Sequence, residues 1–213
     1  MKNNLSYLLF LYLILNATYS FAQQVPAVSL HPDQPYQPKG IWEASTSGRG
    51  LTKYIQDHGN DLYRRTMYTF IKRTVPPPAM LVFDGSNRDQ CEVKRMNTNT
   101  PLQALVMLND PQVLEAARVL AEKTTAEPLN LEQKIELIFK KIICRKPSAD
   151  EIKILSDYYE ESLLKAKSEK ESIQKLTRYC EYPVKSSINE HEVYGLMKVI
   201  LTVYNMDEAI VKT

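Results

Sequence analysis

Two helix starts lie close together in the middle of this chain, and they constrain its fold more than any other feature. Thr100-Pro101-Leu102-Gln103 has the pattern of a capping box, in which the Thr hydroxyl accepts a backbone N–H and the Gln side chain reaches back to the cap. Pro101 would occupy the first helical position, where its missing N–H costs nothing. Asp110-Pro111 repeats the signal. The sequence predicts two successive helices, with either a break or a kink at Asn109-Asp110.

Apolar side chains recur at helical spacing in four stretches, and each stretch predicts a helix with one buried face. A second capping box, Ser148 to Glu151, begins the third stretch, and Asn189 begins the fourth. The predicted fold class is mainly α, a helical bundle behind an irregular, Pro-rich N-terminal segment. The four apolar sets are Val113, Leu114, Ala117, Leu120 and Ala121; Leu131, Ile135, Ile138 and Ile142; Ile152, Leu155, Tyr159 and Leu163; and Val193, Leu196, Ile200 and Val203.

The stretch before the first capping box carries weaker signals. Asn60 or Asp61 can cap a helix that runs to about Arg73, and the prolines at 76–78 would stop it. The apolar run 79–83 predicts either a strand or a buried loop.

A turn is predicted next, at Asp84-Gly85-Ser86-Asn87. Its oxygen-bearing side chains faintly resemble a calcium loop. The stretch lacks the Gly and the distant bidentate Glu of an EF-hand, so a turn is the favoured interpretation.

The first 22 residues have the pattern of an export signal. Lys2 supplies a positive start, Leu5 to Leu15 is almost wholly apolar, and Ser20-Phe21-Ala22 places small residues where a signal peptidase reads them. The apolar run is shorter than the roughly 20 residues that span a bilayer as a helix. We expect a signal peptide over 1–22 and cleavage before Gln23, with an uncleaved anchor as the alternative. The expected location is the periplasm or the cell surface, with no membrane span after cleavage.

Two parts are predicted after the signal peptide. Residues 51–213 would form the helical domain, which is long enough for one hydrophobic core. The formal net charge of the whole sequence is +2, and neither this near-neutrality nor export suits a nucleic-acid partner. Residues 23–50 would form an extended lead-in, because four prolines there fix φ and remove backbone donors: Pro26, Pro32, Pro35 and Pro38.

The cysteines are odd in number: Cys91, Cys144 and Cys180. At most one internal disulfide can form, and a bridge between Cys91 and Cys180 is one pairing that the sequence allows. Cys144 lies among apolar residues of a predicted helix and is interpreted as a small buried hydrophobe. No C-x-x-C-H motif is present, so no covalent haem is expected, and the three histidines lack metal-ligand spacing. The sequence contains no recognisable catalytic motif, and we predict no catalytic residues, no bound cofactor and no bound metal ion.

Positive charge concentrates between residues 64 and 95. Guanidinium groups suit bidentate binding of sulfate or carboxylate, which would make this cluster a site for an anionic glycan or an acidic partner protein. The alternative is structural pairing with Glu43, Asp61, Asp84 and Asp89. Asn99 joins the cluster as a candidate because capping accounts for Thr100 and Gln103 but does not require Asn99. The candidate binding residues are Arg64, Arg65, Lys72, Arg73, Arg95 and Asn99.

Several blocks of sequence carry a resemblance to a known family. They are Pro35-Tyr36-Gln37-Pro38 with Gly40, Trp42 and Glu43; Leu62-Tyr63-Arg64-Arg65; Tyr68-Thr69-Phe70; Lys72-Arg73-Thr74; Pro76-Pro77-Pro78-Ala79-Met80; Phe83-Asp84; Arg88; Cys91; Arg95 to Pro111; Arg145 and Pro147; and Leu201 to Lys212. Together they resemble the C-terminal part of the planctomycete PSD-one family (domain of unknown function fifteen-fifty-three).

The resemblance implies a secreted protein whose full-length relatives carry cytochrome c-like segments. It also implies that an earlier half of the domain lies outside this sequence. The expected function is that of an exported, non-catalytic helical module, a binding or assembly component linked to polysaccharide handling. The alternatives are an accessory of a cytochrome-like redox or hydrolytic system and an inactive domain remnant.

Overall fold

The computed structural model describes part of the chain: residues 34, 36–37, 40–41, 54–64, 66–72, 74–86, 93–94, 98–168, 173, 176, 181–184 and 189–211. The predicted signal peptide and most of the predicted lead-in lie outside these residues. So do Cys91 and Cys180, and their pairing stays a prediction.

Helices dominate the described residues, among which there is no β-strand, and the predicted mainly α fold class is confirmed. Two short 3-10 helices lie at Gly59–Tyr63 and Thr66–Tyr68. The α-helices whose bounds lie among the described residues are α1 Pro78–Val82, α2 Pro101–Asn109, α3 Pro111–Thr125, α4 Leu131–Ile142, α5 Ala149–Ser168, α6 Glu190–Tyr204 and α7 Asp207–Ile210.

The two central helix starts form as predicted. Thr100 caps α2: its hydroxyl accepts from the Gln103 N–H at 3.4 Å, and Gln103 Oε1 accepts from the Thr100 N–H at 3.0 Å. The chain then breaks rather than kinks, because Asp110 has extended backbone with ψ 129°. The Asp110 carboxylate accepts from the Gln112 N–H at 2.8 Å and so caps α3.

Helix α6 lies at the centre of the bundle and packs most extensively against α3 and α5. It buries eight of its 15 residues, which is expected of a helix with neighbours on several sides. The four predicted apolar stripes meet there and form one core. Its fully or nearly fully buried members are Ala117, Ala121, Ile135, Ile138, Phe139, Leu155, Val193, Leu196, Met197, Val199, Ile200, Leu201 and Val203.

The contact between α5 and α6 requires a glycine at one point. A Cβ atom on Gly195 would lie 2.7 Å from Cε2 of the Tyr159 ring, closer than carbon atoms approach in proteins. The ring therefore packs directly on the backbone of α6, which brings the two helices close together.

The helix predicted from Asn60 or Asp61 to about Arg73 is wrong. The structure has the two 3-10 helices instead, separated by Arg64 in extended backbone with ψ 158°. His58 gives the first of them no side-chain cap, and Gly59 has a left-handed φ of +64°. Without a cap or a deep apolar stripe, this stretch lacks what stabilises a longer helix.

The prediction of a strand or buried loop at 79–83 is also wrong. These residues belong mainly to α1, since Pro78 lies in its first turn, where proline is preorganised for a helix. The predicted turn follows: Asp84 has φ +55°, and the Gly85 N–H donates to the Met80 carbonyl at 2.7 Å. A Cβ on Gly85 would lie 2.6 Å from that same oxygen, so the turn needs glycine.

Cys144 is exposed, and its interpretation as a buried hydrophobe is wrong. It follows the end of α4 in left-handed backbone, with φ +65°. Its N–H donates to the Phe139 carbonyl at 3.1 Å, as in a helix-terminating turn. This turn carries the side chain away from the core.

Within the described residues, every helix is too short or too polar to cross a bilayer.

Candidate functional site

Three cationic side chains of the predicted basic cluster lie among the described residues: Arg64, Lys72 and Lys94, of which Lys94 is exposed. Arg64 Nη2 donates to Asp61 Oδ1 in an ion pair three residues apart, the kind of structural pairing considered as the alternative. Lys72 is only 7% exposed. Arg65, Arg73 and Arg95 lie outside the described residues.

Asn99 is exposed, and its side chain has a hydrogen-bond partner near the C-terminal end of the sequence. Its Nδ2 donates to Asp207 Oδ1 at 2.6 Å. Asp207 is the first residue of α7. The side chain that capping left unexplained therefore links the start of α2 to the C-terminal helix.

A compact polar cluster, which we call the turn cluster, joins Asp84, Thr98 and Gln103. The Asp84 carboxylate accepts from the Thr98 N–H at 2.8 Å and from its hydroxyl at 2.8 and 3.0 Å. Gln103 Nε2 donates to Thr98 Oγ1 at 3.1 Å and to the Val82 carbonyl at 2.9 Å. The hydrogen bonds from Thr98 lower the pKa of Asp84. The carboxylate that suggested a calcium ligand thus holds the turn against α2.

The inner face of α3 carries three buried charged residues, Glu115, Arg118 and Glu122. Arg118 Nη1 donates to Glu122 Oε1 at 2.6 Å, and Nη2 donates to the Tyr182 carbonyl at 2.6 Å. The Tyr182 N–H donates to Glu115 Oε1 at 2.7 Å. Each charge is paired or hydrogen-bonded, as buried charges must be. We call these residues the α3 polar face.

Aromatic and acidic side chains extend the α3 polar face towards the N-terminal segments. The rings of Tyr63 and Tyr182 meet edge to face, with centroids 6.0 Å apart. Burial of the Tyr63 hydroxyl, together with the nearby charge of Glu115, raises the pKa of Tyr63 to about 12. Glu181 accepts from His58 Nδ1 and, at 3.2 Å, from the Gly59 N–H. These hydrogen bonds lower the pKa of Glu181.

Sequence reasoning missed the α3 polar face. A signal was nevertheless present, because Glu115, Arg118 and Glu122 recur at helical spacing and share one face of α3, beside the apolar stripe that contains Ala117 and Ala121. Opposite charges three or four residues apart on one face are placed to pair with one another. Nothing in the sequence indicated that the backbone of Tyr182 would bond to Arg118 and Glu115.

An open groove of about 650 Å³ lies among α2, α3, α4, α6 and α7. Its floor is apolar, and two lysines and one tyrosine add polar groups. Burial raises the pKa of that tyrosine, Tyr204. The lining residues are Met107, Ala116, Val119, Leu120, Lys123, Lys141, Ile142, Tyr204 and Ala209.

A second apolar surface lies on the other side of α2. Leu102, Leu105 and Leu108 are 55%, 56% and 48% exposed. Spaced three residues apart, they form one band on the side of the helix away from Gln103 and Met107. We call this surface the leucine band.

The described part of the chain shows no group of three or more His, Cys, Asp or Glu side chains arranged to hold a metal ion.

Neither a curated protein nor a solved structure matches this chain. One protein family does. A model of PSD1, a protein of unknown function (DUF1553), matches residues 13–159. The match begins inside the predicted signal peptide and ends within α5, so it includes the turn cluster, the α3 polar face and the leucine band. Because it covers more than half of the sequence, the chain belongs to the PSD1 family of proteins of unknown function.

Proposed function

We propose that this protein is an exported, non-catalytic helical module that acts by binding, as an assembly component of a periplasmic or cell-surface system that handles polysaccharide. Its direct partner in this proposal is another protein rather than an anionic glycan.

The leucine band carries the proposal. Three leucines about half exposed on a nine-residue helix are a costly arrangement for a surface in water. A contiguous exposed apolar patch is characteristic of a protein-binding surface. Single exposed apolar residues such as Leu164 on α5 need no such explanation.

The charged residues favour a protein partner over a sulfated or carboxylated glycan. Such a glycan requires several accessible cations, whereas Arg64 pairs with Asp61, Lys72 is buried and Lys94 is the one exposed cation among the described residues of the cluster. The anionic-glycan site predicted from the sequence would then need further cations from outside the described residues.

The described polar clusters support a non-catalytic role because their groups bond to one another. Asp84 and Gln103 bond within the turn cluster, and Arg118 bonds to Glu122 and the Tyr182 carbonyl. Side chains used in this way stabilise the fold, whereas a general acid or base must reach a substrate.

A photo-crosslinking amino acid at position 105 tests the proposal in the native host. The matched control places it at Leu164, which is 67% exposed on α5. We expect a discrete adduct with one identified protein from position 105 and no such adduct from position 164. The cross-linked chain should be the mature form that begins at Gln23.

Adducts of equal yield and identity at the two positions would overturn the proposal. An adduct of twice the mass of the chain would show self-association instead. Recovery of the uncleaved chain from the cytoplasm would contradict export.

A further inference from the structure

The groove differs from the leucine band in combining an apolar floor with cations. Lys123 and Lys141 both line it, at the C-terminal ends of α3 and α4. Neither forms an ion pair with any residue that the structure describes. Each lysine lies near the negative C-terminal end of its helix dipole, where a positive charge is favourable. This interaction leaves the ammonium groups exposed to solvent and available to a ligand.

No acidic residue is among the described residues that line the groove, and two acidic residues of the neighbouring α7 have hydrogen-bond donors of their own. Asp207 accepts from Asn99, and Glu208 accepts from Arg145 Nε at 2.6 Å. Both belong to α7, whose Ala209 lines the groove. Both charged side chains among the lining residues, Lys123 and Lys141, are cationic, so the lining itself presents positive charge to a ligand.

We propose that the groove binds an amphipathic helix of a partner protein, with the apolar stripe of that helix on the floor and its carboxylate side chains on Lys123 and Lys141. An amphipathic helix buries its apolar stripe in an open groove and leaves its polar face in water. This surface is separate from the leucine band, and the proposal stands independently of it.

The shape of the groove argues against two other ligands, a small amphiphile and a membrane surface. A small amphiphile such as a fatty acid is held by a site that encloses most of its surface, and this groove is open to solvent. A flat membrane surface requires apolar side chains that protrude, whereas Val119, Leu120 and Ile142 are half-buried in a concave floor.

Two synthetic helical peptides of about 15 residues test the proposal on the full chain. Both carry leucines at positions i, i+3, i+4 and i+7; one has glutamates beside this stripe, and the other has lysines. We expect the glutamate peptide to bind about fivefold or more tightly, since two exposed ion pairs contribute at this level. Bound peptide should shift the NMR methyl signals of Met107, Leu120 and Ile142.

Charge reversal sharpens the test. Lys123→Glu with Lys141→Glu should invert the preference in favour of the lysine peptide. Lys140→Glu with Lys153→Glu makes the same change in net charge at exposed lysines outside the groove, and it should preserve the preference. Circular dichroism spectra of both double variants establish that the fold is intact.

Equal affinity for the two peptides, or a preference that charge reversal leaves unchanged, would overturn the proposal. Binding to phosphatidylglycerol vesicles with no peptide preference would indicate a membrane surface instead. Concentration-dependent dimers that bury the same methyl groups would indicate a second copy of the chain. Cross-linking at position 105 tests the leucine band, and its result does not depend on any of these outcomes for the groove.

Discussion

The helical body and the N-terminal part of this protein are stabilised by different interactions. The body, residues 98–168 and 189–211, encloses a continuous apolar core centred on α6. Among the described residues of the N-terminal part, 34 to 86, the buried apolar side chains are those of Leu62 and Pro77. Polar contacts predominate there: Gln34 bonds through its backbone and side chain to residues 55 and 57.

This difference shows where each kind of interaction is useful. Apolar burial depends on area and tolerates many sequences, so it builds a stable body. Polar contacts depend on geometry and contribute about 1 kcal/mol each, so they fix the course of an irregular segment without adding much stability. The N-terminal part therefore depends on the body for its conformation.

The largest expected change in stability comes from a substitution in the apolar core of the body. Phe139→Ala should lower the free energy of unfolding by about 4 kcal/mol, because the ring is fully buried and truncation leaves a cavity. The ring also lies 5.2 Å from the Arg145 guanidinium. Urea denaturation followed by circular dichroism measures the change. Leu164→Ala, at an exposed position, is the control and should cost less than about 0.5 kcal/mol. Equal losses in the two variants would mean that the core does not dominate.

The next effect concerns the α3 polar face, where body and N-terminal part meet. Arg118→Met should cost about 3 kcal/mol, because the buried Glu122 carboxylate loses its partner and the Tyr182 carbonyl loses a hydrogen bond. Denaturation in urea again gives the value.

A double variant sharpens this prediction. Adding Glu122→Leu to Arg118→Met should restore most of the lost stability, since apolar replacement of a buried ion pair is often neutral. If the double variant is less stable than the single one, the loss comes from packing and not from an unpaired charge.

The smallest effect depends on pH. Hydrogen bonds from Arg145 at 2.7 and 2.9 Å hold the pKa of Glu151 at about 2, below its usual 4.5. A lowered pKa in the folded state stabilises the protein above pH 4.5, and this contribution is lost as pH falls towards 2.

Glu151→Gln should therefore lower the thermal midpoint at pH 7, and the two proteins should converge near pH 2. Thermal melts from pH 7 to 2 give the difference. Glu136→Gln, at an exposed position on α4, is the control and should leave the midpoint at pH 7 unchanged. A constant offset for Glu151→Gln at all pH values would contradict the assignment.

The fold was predictable from sequence wherever local signals agreed. The capping boxes at Thr100 and Ser148 and the four apolar stripes gave the helices of the body, because caps and periodicity act over a few residues. Residues 60–73 were not predictable in this way. The described residues of this stretch make contacts with residues far away in sequence, such as that of the Tyr63 ring with the Tyr182 ring.

The candidate sites were less predictable than the fold. Arginine clusters indicated binding in the sequence, but the side chain of Arg64 has a structural partner three residues away. The groove brings together residues from five helices, and no local pattern announces such a surface. The leucine band was visible only once the buried side of α2 was known, because PLQALVMLN is apolar on every side.

The packing of Tyr159 on Gly195 has an evolutionary consequence. With 2.7 Å available for a Cβ atom, a lineage that acquires any other residue at position 195 must also shrink or move the side chain at 159. We expect these two positions to change together across relatives of this chain, with a small side chain always present at one of them. Neighbouring surface positions such as Ile154 face solvent and are free to vary alone.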